Sequence, residues 1–146
     1  MKRPEVLAGK TVLCIDNDFD TLLLLKFIFE DRGARVLSAS CFQEAVDHVT
    51  RETPSVILCD MVMPDTDAIS LFRKLQEEGC TAPFVVLTGM SRETCRRADI
   101  ADFAAYLVKP VDDTVLVSTV AKLTVEDAWL QAGLILVPGD NERGDP

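Results

Sequence analysis

The stretch Val12-Leu13-Cys14-Ile15-Asp16-Asn17-Asp18-Phe19-Asp20, residues 12–20, decides the fold. Four apolar residues run together and stop abruptly at an acidic cluster. A continuous apolar run, as opposed to an alternating one, marks a strand covered on both faces. Runs of the same kind recur at 56–59, 84–87 and 106–108, with a weaker one at 35–38 that reads as an edge strand. Segments of helical period fill the intervals, at 20–32, 41–52, 66–78, 91–101 and 113–123. Gly33 and Gly79 stand where helix C-caps belong, and Thr53-Pro54 closes the second helix. Strand and helix alternate through the chain, which predicts an α/β fold with a parallel sheet.

At 146 residues the chain is expected to form one main domain with a real hydrophobic core. Its net charge of −9 argues against nucleic acid or an anionic membrane as the main partner. No apolar run is long enough to span a bilayer, and the basic start is not followed by a signal-peptide core. The five cysteines show no disulfide-like spacing, and Cys14 and Cys59 fall inside strand runs, so reduced thiols in a cytoplasmic protein are expected. His48 is the only histidine, which leaves a histidine metal site or a Ser-His triad little to build on.

Parallel α/β sheets carry their sites at the carboxyl ends of the strands. The polar residues just past those ends are Asp16, Asn17 and Asp18, then Asp60, Thr88 and Lys109. A cap or a loop role accounts for any one of them singly, but not for carboxylates, hydroxyl and ammonium converging on one rim. Carboxylates from separate strands suit magnesium, which takes few protein carboxylates and keeps waters and phosphate oxygens. A lysine can hold a phosphoryl oxygen as a point charge, and an aspartate can attack phosphorus. Asp60, alone at its strand end, is the better nucleophile candidate; Asp16 and its neighbours are grouped as metal ligands would be.

With these pieces in place the chain resembles the receiver domain of two-component response regulators. The resemblance rests on Ile15-Asp16, Asp60-Met61-Val62-Met63-Pro64, Val86-Leu87-Thr88 and Tyr106-Leu107-Val108-Lys109-Pro110, in order and near the family's spacing. It implies a flavodoxin-like fold with strand order 2-1-3-4-5 and a receiver domain over 10–123, flanked by extensions at 1–9 and 124–146. It implies that Asp60 is the phosphoacceptor. Asp16, Asn17, Asp60 and the Val62 carbonyl would hold magnesium, with manganese as a substitute. Thr88 and Tyr106 match the family's switch pair, and Lys109 its lysine, joined to Pro110 by a cis peptide. The donor would be a histidine kinase or a histidine phosphotransfer protein. A homodimer through the last two helices is a further partner of the kind the family forms. Val62 and Met90 occupy the positions that tune phosphoryl lifetime; both are apolar, which predicts slow self-dephosphorylation.

The departures are specific. Asn17 stands where the family usually has an acid, so metal affinity falls unless Asp18 adds potential nearby. Ala68 stands where glycine is common, Asp102-Phe103 replaces a Gly-Ala pair, and the segment from Thr88 to Lys109 is about one residue short. A pseudo-receiver, keeping the fold without phosphorylation, is the non-catalytic alternative, and Asn17 is its support. A haloacid-dehalogenase-like phosphatase would need Asp-x-Asp-x-Thr/Val. Neither Asp16 nor Asp18 begins that motif, and Asp60 would go unused. An EF-hand loop from Asp16 fails too, with Thr21 and Phe27 where glycine and glutamate are required.

The first helix should bury Leu22, Leu25, Ile28 and Phe29 and leave Leu23 and Phe27 outward beside Lys26 and Glu30, a candidate surface for the phosphodonor. Asp20 is expected to cap this helix, with Asp18 supplying field. Past residue 123, Val125, Trp129 and Leu130 could extend the last helix, 134–137 is apolar enough to pack on the domain or on a second copy, and the final GDNERGDP should be disordered.

Overall fold

The computed structural model describes residues 3–125. Five parallel strands, β1 (Thr11–Ile15), β2 (Arg35–Ala39), β3 (Val56–Cys59), β4 (Phe84–Thr88) and β5 (Ala105–Val108), form one sheet in the order β2-β1-β3-β4-β5. The helices are α1 (Phe19–Glu30), α2 (Phe42–Arg51), α3 (Ala68–Glu77), a one-turn α4 (Arg97–Ile100) and α5 (Asp113–Leu123). Helix α5 ends at Leu123 with Thr124 as its C-cap, so Val125 does not extend it as expected. The expectations for residues beyond 125, including Trp129, Leu130 and 134–137, lie outside the described residues.

Alternation along the central strands splits the core into two layers. Leu13, Ile15, Ile57, Cys59, Phe84 and Val86 face α2 and α3, whereas Val12, Cys14, Val56, Leu58, Val85 and Leu87 face α1 and α5. Both faces of β1, β3 and β4 are therefore dry, which is why their sequences are apolar without interruption. The edge strands β2 and β5 are only partly covered. In α1 the residues buried are Leu22, Leu25, Ile28 and Phe29, and in α5 they are Leu116, Val117 and Val120.

Two expectations need correction. The predicted helix over 91–101 is a 3-10 turn, Arg92–Thr94, then extended backbone at Cys95 and Arg96, then α4. Neither turn has a fully buried residue, and only Cys95 and Ile100 pack, partly buried, on the core, too narrow an apolar face to hold a longer helix against the domain. The cap of α1 is Asp18, not Asp20. Asp18 has an extended backbone, φ −85° and ψ 111°, and its carboxylate accepts from the Asp20 N–H at 3.2 Å and the Thr21 hydroxyl at 2.8 Å. Asp20 already lies in the first turn, where its side chain cannot cap its own helix but does favour the positive end of the dipole.

Two packing features were not legible in the sequence. Leu7, ahead of the first strand, is fully buried with the α1/α5 layer, and its N–H donates to the Arg32 carbonyl at 2.9 Å. Gly33 makes this approach feasible: at φ +93°, a Cβ there would lie 2.9 Å from Glu5 Cβ. Phe103, where the resemblance expects a small residue, is buried and stacked on Phe84 at 5.4 Å, with Phe72 edge-on to both. The departure at this position is thus absorbed by an aromatic cluster under β4 and β5.

Candidate functional site

Register explains how the rim residues meet. Ile15 of β1 pairs with Cys59 of β3, so the next residue on each strand, Asp16 and Asp60, lies on neighbouring strands about 5 Å apart along the ladder. The backbone bond from Asp60 N–H to the Ile15 carbonyl, 3.0 Å, carries the pairing one step further. On the other side Thr88 pairs with Val108, which brings Lys109 past the end of β5, its N–H donating to the Thr88 carbonyl at 2.7 Å.

From there the Lys109 side chain reaches back across the rim. Its Nζ lies 2.9 Å from Asp16 Oδ2 and 3.5 Å from Asp60 Oδ2. The Asp16 side chain is 3% exposed and its other oxygen accepts from the Asp18 N–H at 2.9 Å. A carboxylate this dry needs a counter-charge, and the lysine is it. Burial works to lower the Lys109 pKa, but the hydrogen bond and charge of Asp16, with the charge of Asp60, outweigh it and hold the ammonium above its ordinary value. The Lys109–Pro110 peptide is cis.

Thr88 is buried, and its Oγ1 accepts from the Met90 N–H at 3.3 Å. Tyr106 is half-buried on β5, and its hydroxyl donates to the Met90 carbonyl at 2.9 Å. The two switch candidates are therefore tied to the same residue, one to its N–H and one to its carbonyl. Cys95 Sγ lies 3.4 Å from the Tyr106 hydroxyl and 3.8 Å from Met90 Sδ, and the Arg92 guanidinium lies 5.9 Å from the ring centre. Sequence reasoning missed Cys95 and Arg92, because their helical period predicted one continuous helix, whereas the break at Cys95 and Arg96 is what turns these side chains toward Tyr106.

The oxygen donors available to a cation can be weighed on the same geometry. Asp16 and Asp60 converge, Asn17 is exposed on the turn that follows β1, and Val62 is 54% exposed in the loop after β3. Asp18 is not among them, since its carboxylate is committed to the helix cap. Among the described residues no group of three or more acidic, histidine or cysteine side chains forms. Two carboxylates, an amide and a carbonyl are a poor set for calcium or zinc but fit magnesium, which keeps much of its water.

Of the predicted site residues, Asp16, Asp60, Thr88 and Lys109 thus gather at one rim, with Asn17 and Val62 on the loops beside it. Met90 bridges Thr88 to Tyr106. Leu23 and Phe27 lie apart, exposed on α1.

A profile of the response regulator receiver domain matches residues 12–121, and the chain belongs to that family. It is 38% identical over 119 residues to an uncharacterized 14.6 kDa protein of the sodA1 3' region of Leptolyngbya boryana, covering 80% of this chain and 91% of that one. It is 30% identical over 119 residues to the sensor histidine kinase GacS of Pseudomonas protegens, covering 77% of this chain and 13% of the kinase. The receiver domain of the Francisella response regulator 1452 superposes with a TM-score of 0.72 at 27% identity, over 80% of this chain and 97% of that domain. The chain thus aligns with nearly the whole of one relative and with a small part of a sensor histidine kinase, and the family it belongs to is that of two-component response regulators. Among the described residues no helix is long and apolar enough to cross a membrane.

Proposed function

We propose that Asp60 accepts a phosphoryl group from a phosphohistidine donor, with residues 10–123 acting as the receiver domain of a two-component phosphorelay. The observation that carries this reading is the bridge Asp16–Lys109–Asp60, a buried acid and a second acid held to one ammonium at 2.9 and 3.5 Å. In the transfer, an Asp60 carboxylate oxygen bonds to phosphorus as the P–N bond to the donor imidazole breaks. The imidazole leaves with the electron pair, and the product is an aspartyl phosphate. Lys109 holds a phosphoryl oxygen in place of the Asp60 oxygen it now faces. Magnesium, held by Asp16, Asn17, Asp60 and the Val62 carbonyl, would neutralise charge on the phosphoryl oxygens. Manganese is a workable substitute. The chain acts on its own side chain and is not an enzyme with turnover on a separate substrate.

The switch follows from hydrogen bonding. Turning the Thr88 hydroxyl toward a phosphoryl oxygen withdraws the acceptor of the Met90 N–H. Met90 is also what anchors the Tyr106 hydroxyl, so the β4–α4 loop and the tyrosine repack together. The surface of α4, β5 and α5 then differs between the two states, and a protein target or a second copy that prefers one state shifts the equilibrium. Val62 and Met90 offer no polar group to orient an attacking water, so the phosphoryl group should persist. The donor, a histidine kinase or histidine phosphotransfer protein, docks on the exposed side of α1 through Leu23 and Phe27. The setting is the cytoplasm.

Incubation with acetyl phosphate and magnesium should add one phosphoryl mass, abolished by Asp60→Asn. The pseudo-receiver alternative, favoured by the missing third carboxylate at Asn17, predicts no mass shift at any magnesium concentration. Labelling that survives Asp60→Asn would refute Asp60 as the acceptor.

A further inference from the structure

The outward side of α1 is more apolar than donor docking by Leu23 and Phe27 alone would require. Phe19, Leu23 and Phe27 follow one another at four-residue steps and are 73, 55 and 72% exposed, with Leu24 beside them at 59%. A stripe of this kind along a whole helix asks for a cover.

The geometry of α5 says what stands nearest to provide it. The two helices share one core layer, Leu116, Val117 and Val120 meeting Leu22, Leu25, Ile28 and Phe29. Each begins just past the carboxyl end of its strand and runs back along the sheet, so both end at the same side of the domain. The chain is still anchored there after α5: Thr124 is buried and its hydroxyl donates to the Val120 carbonyl at 2.8 Å. Beyond the described residues the sequence continues Glu126-Asp127 and then Ala128-Trp129-Leu130-Gln131-Ala132-Gly133-Leu134-Ile135-Leu136-Val137, ten residues without a charge. Ten residues span about 15 Å as a helix and about 33 Å extended. The twelve residues of α1 measure about 18 Å. Extended, the segment is therefore long enough to reach from the foot of α1 to Phe19; as a helix it spans the about 12 Å between Phe27 and Phe19.

We propose that residues 128–137 lie along the Phe19–Leu23–Phe27 stripe of α1 in the same chain and compete with the phosphodonor for it. A segment tethered by so short a linker sits at an effective concentration of roughly millimolar, which favours its own α1 over that of a second copy. The competition half of the proposal rests on the reading of α1 as the donor's face; the docking half does not.

Trp129 is the only tryptophan in the chain, so its fluorescence reports the segment directly. In the full chain its emission should be blue-shifted and shielded from acrylamide, unchanged on dilution, with the protein monomeric in sedimentation. Both signals should be lost in Leu23→Glu with Phe27→Lys, and equally in Leu134→Asp with Leu136→Asp, which leaves the described domain untouched. A solvent-exposed Trp129 in the full chain overturns the docking. So does a blue shift that survives both double variants, or one that appears only in a dimer. For the competition, a segment docked ten parts to one lowers the apparent donor affinity about tenfold. Leu134→Asp with Leu136→Asp should then speed transfer from the cognate phosphohistidine donor about tenfold below saturation and leave acetyl phosphate labelling unchanged. If Trp129 is released and the transfer rate does not move, α1 is not the donor's face, and the docking stands. The fluorescence arm reads the same whether or not Asp60 is ever phosphorylated.

Discussion

Replacing Lys109 by methionine tests the rim most severely, because three readouts follow from one geometry. The Asp16 carboxylate, 3% exposed, has the Lys109 ammonium at 2.9 Å on one oxygen and the Asp18 N–H on the other. Methionine keeps the stem and removes the charge, leaving a buried carboxylate half satisfied. Breaking a fully buried pair this way costs about 3–5 kcal/mol. The Lys109 side chain is itself 30% exposed, so water reaches the vacated side and the loss should be about 2–3 kcal/mol. That is a large part of the stability of a domain this size. It should appear as a lower midpoint in urea unfolding with EDTA present, at unchanged slope. The second readout has the opposite sign. A like charge touching the same two carboxylates opposes a divalent cation by roughly 1–2 kcal/mol, so removing it should tighten magnesium binding about tenfold. Magnesium should therefore recover more stability in the variant than in the parent protein. The third is loss of acetyl phosphate labelling despite the tighter metal. A variant as stable as the parent in EDTA, or one binding magnesium no more tightly, would refute the view that Lys109 is the counter-charge of this acid pair.

Three further outcomes follow from the structure. Phe103→Ala removes one member of the Phe72–Phe84–Phe103 cluster and should cost about 3–4 kcal/mol in thermal or urea unfolding; a loss under 1 kcal/mol would mean the aromatic fills space that can collapse. Asp18→Ala should destabilise by about 1 kcal/mol and Asp20→Ala by only a few tenths, an order that reverses if Asp20 is the cap. Val62→Asn with Met90→Glu should speed loss of the Asp60 phosphoryl group by about tenfold or more, one step of 1.4 kcal/mol in the barrier, followed by mass after removal of the donor; equal lifetimes would show that these side chains do not govern water access.

The parts of this protein readable from sequence are those set by local pattern. Val12–Ile15, Val56–Cys59 and Phe84–Leu87 are apolar without interruption because both faces of their strands are covered, and that cause acts on each residue separately. Sheet polarity then places Asp16, Asp60, Thr88 and Lys109 at one end, since every parallel strand ends on the same side. The tertiary structure alone decided what no pattern along the chain encodes. That Lys109 is bonded to Asp16 at 2.9 Å and stands farther from Asp60, at 3.5 Å, depends on how strands distant in sequence stagger and on which acid is drier. Asp18 and Asp20 are equivalent by residue type, and the backbone angles of the turn chose between them. The predicted fourth helix is broken because helical period is realised only where a core receives a continuous apolar face, and Arg92–Ile100 offers the core only Cys95 and Ile100, both partly buried. Leu7 and Phe103 belong to the core for the converse reason: cavities formed by remote elements, behind Gly33 and beside Phe84, were the right size for them. Local chemistry determines which segments form and which groups reach the rim. Only the packing of remote segments determines which of those groups touch, because distance across the sheet is not written along the chain.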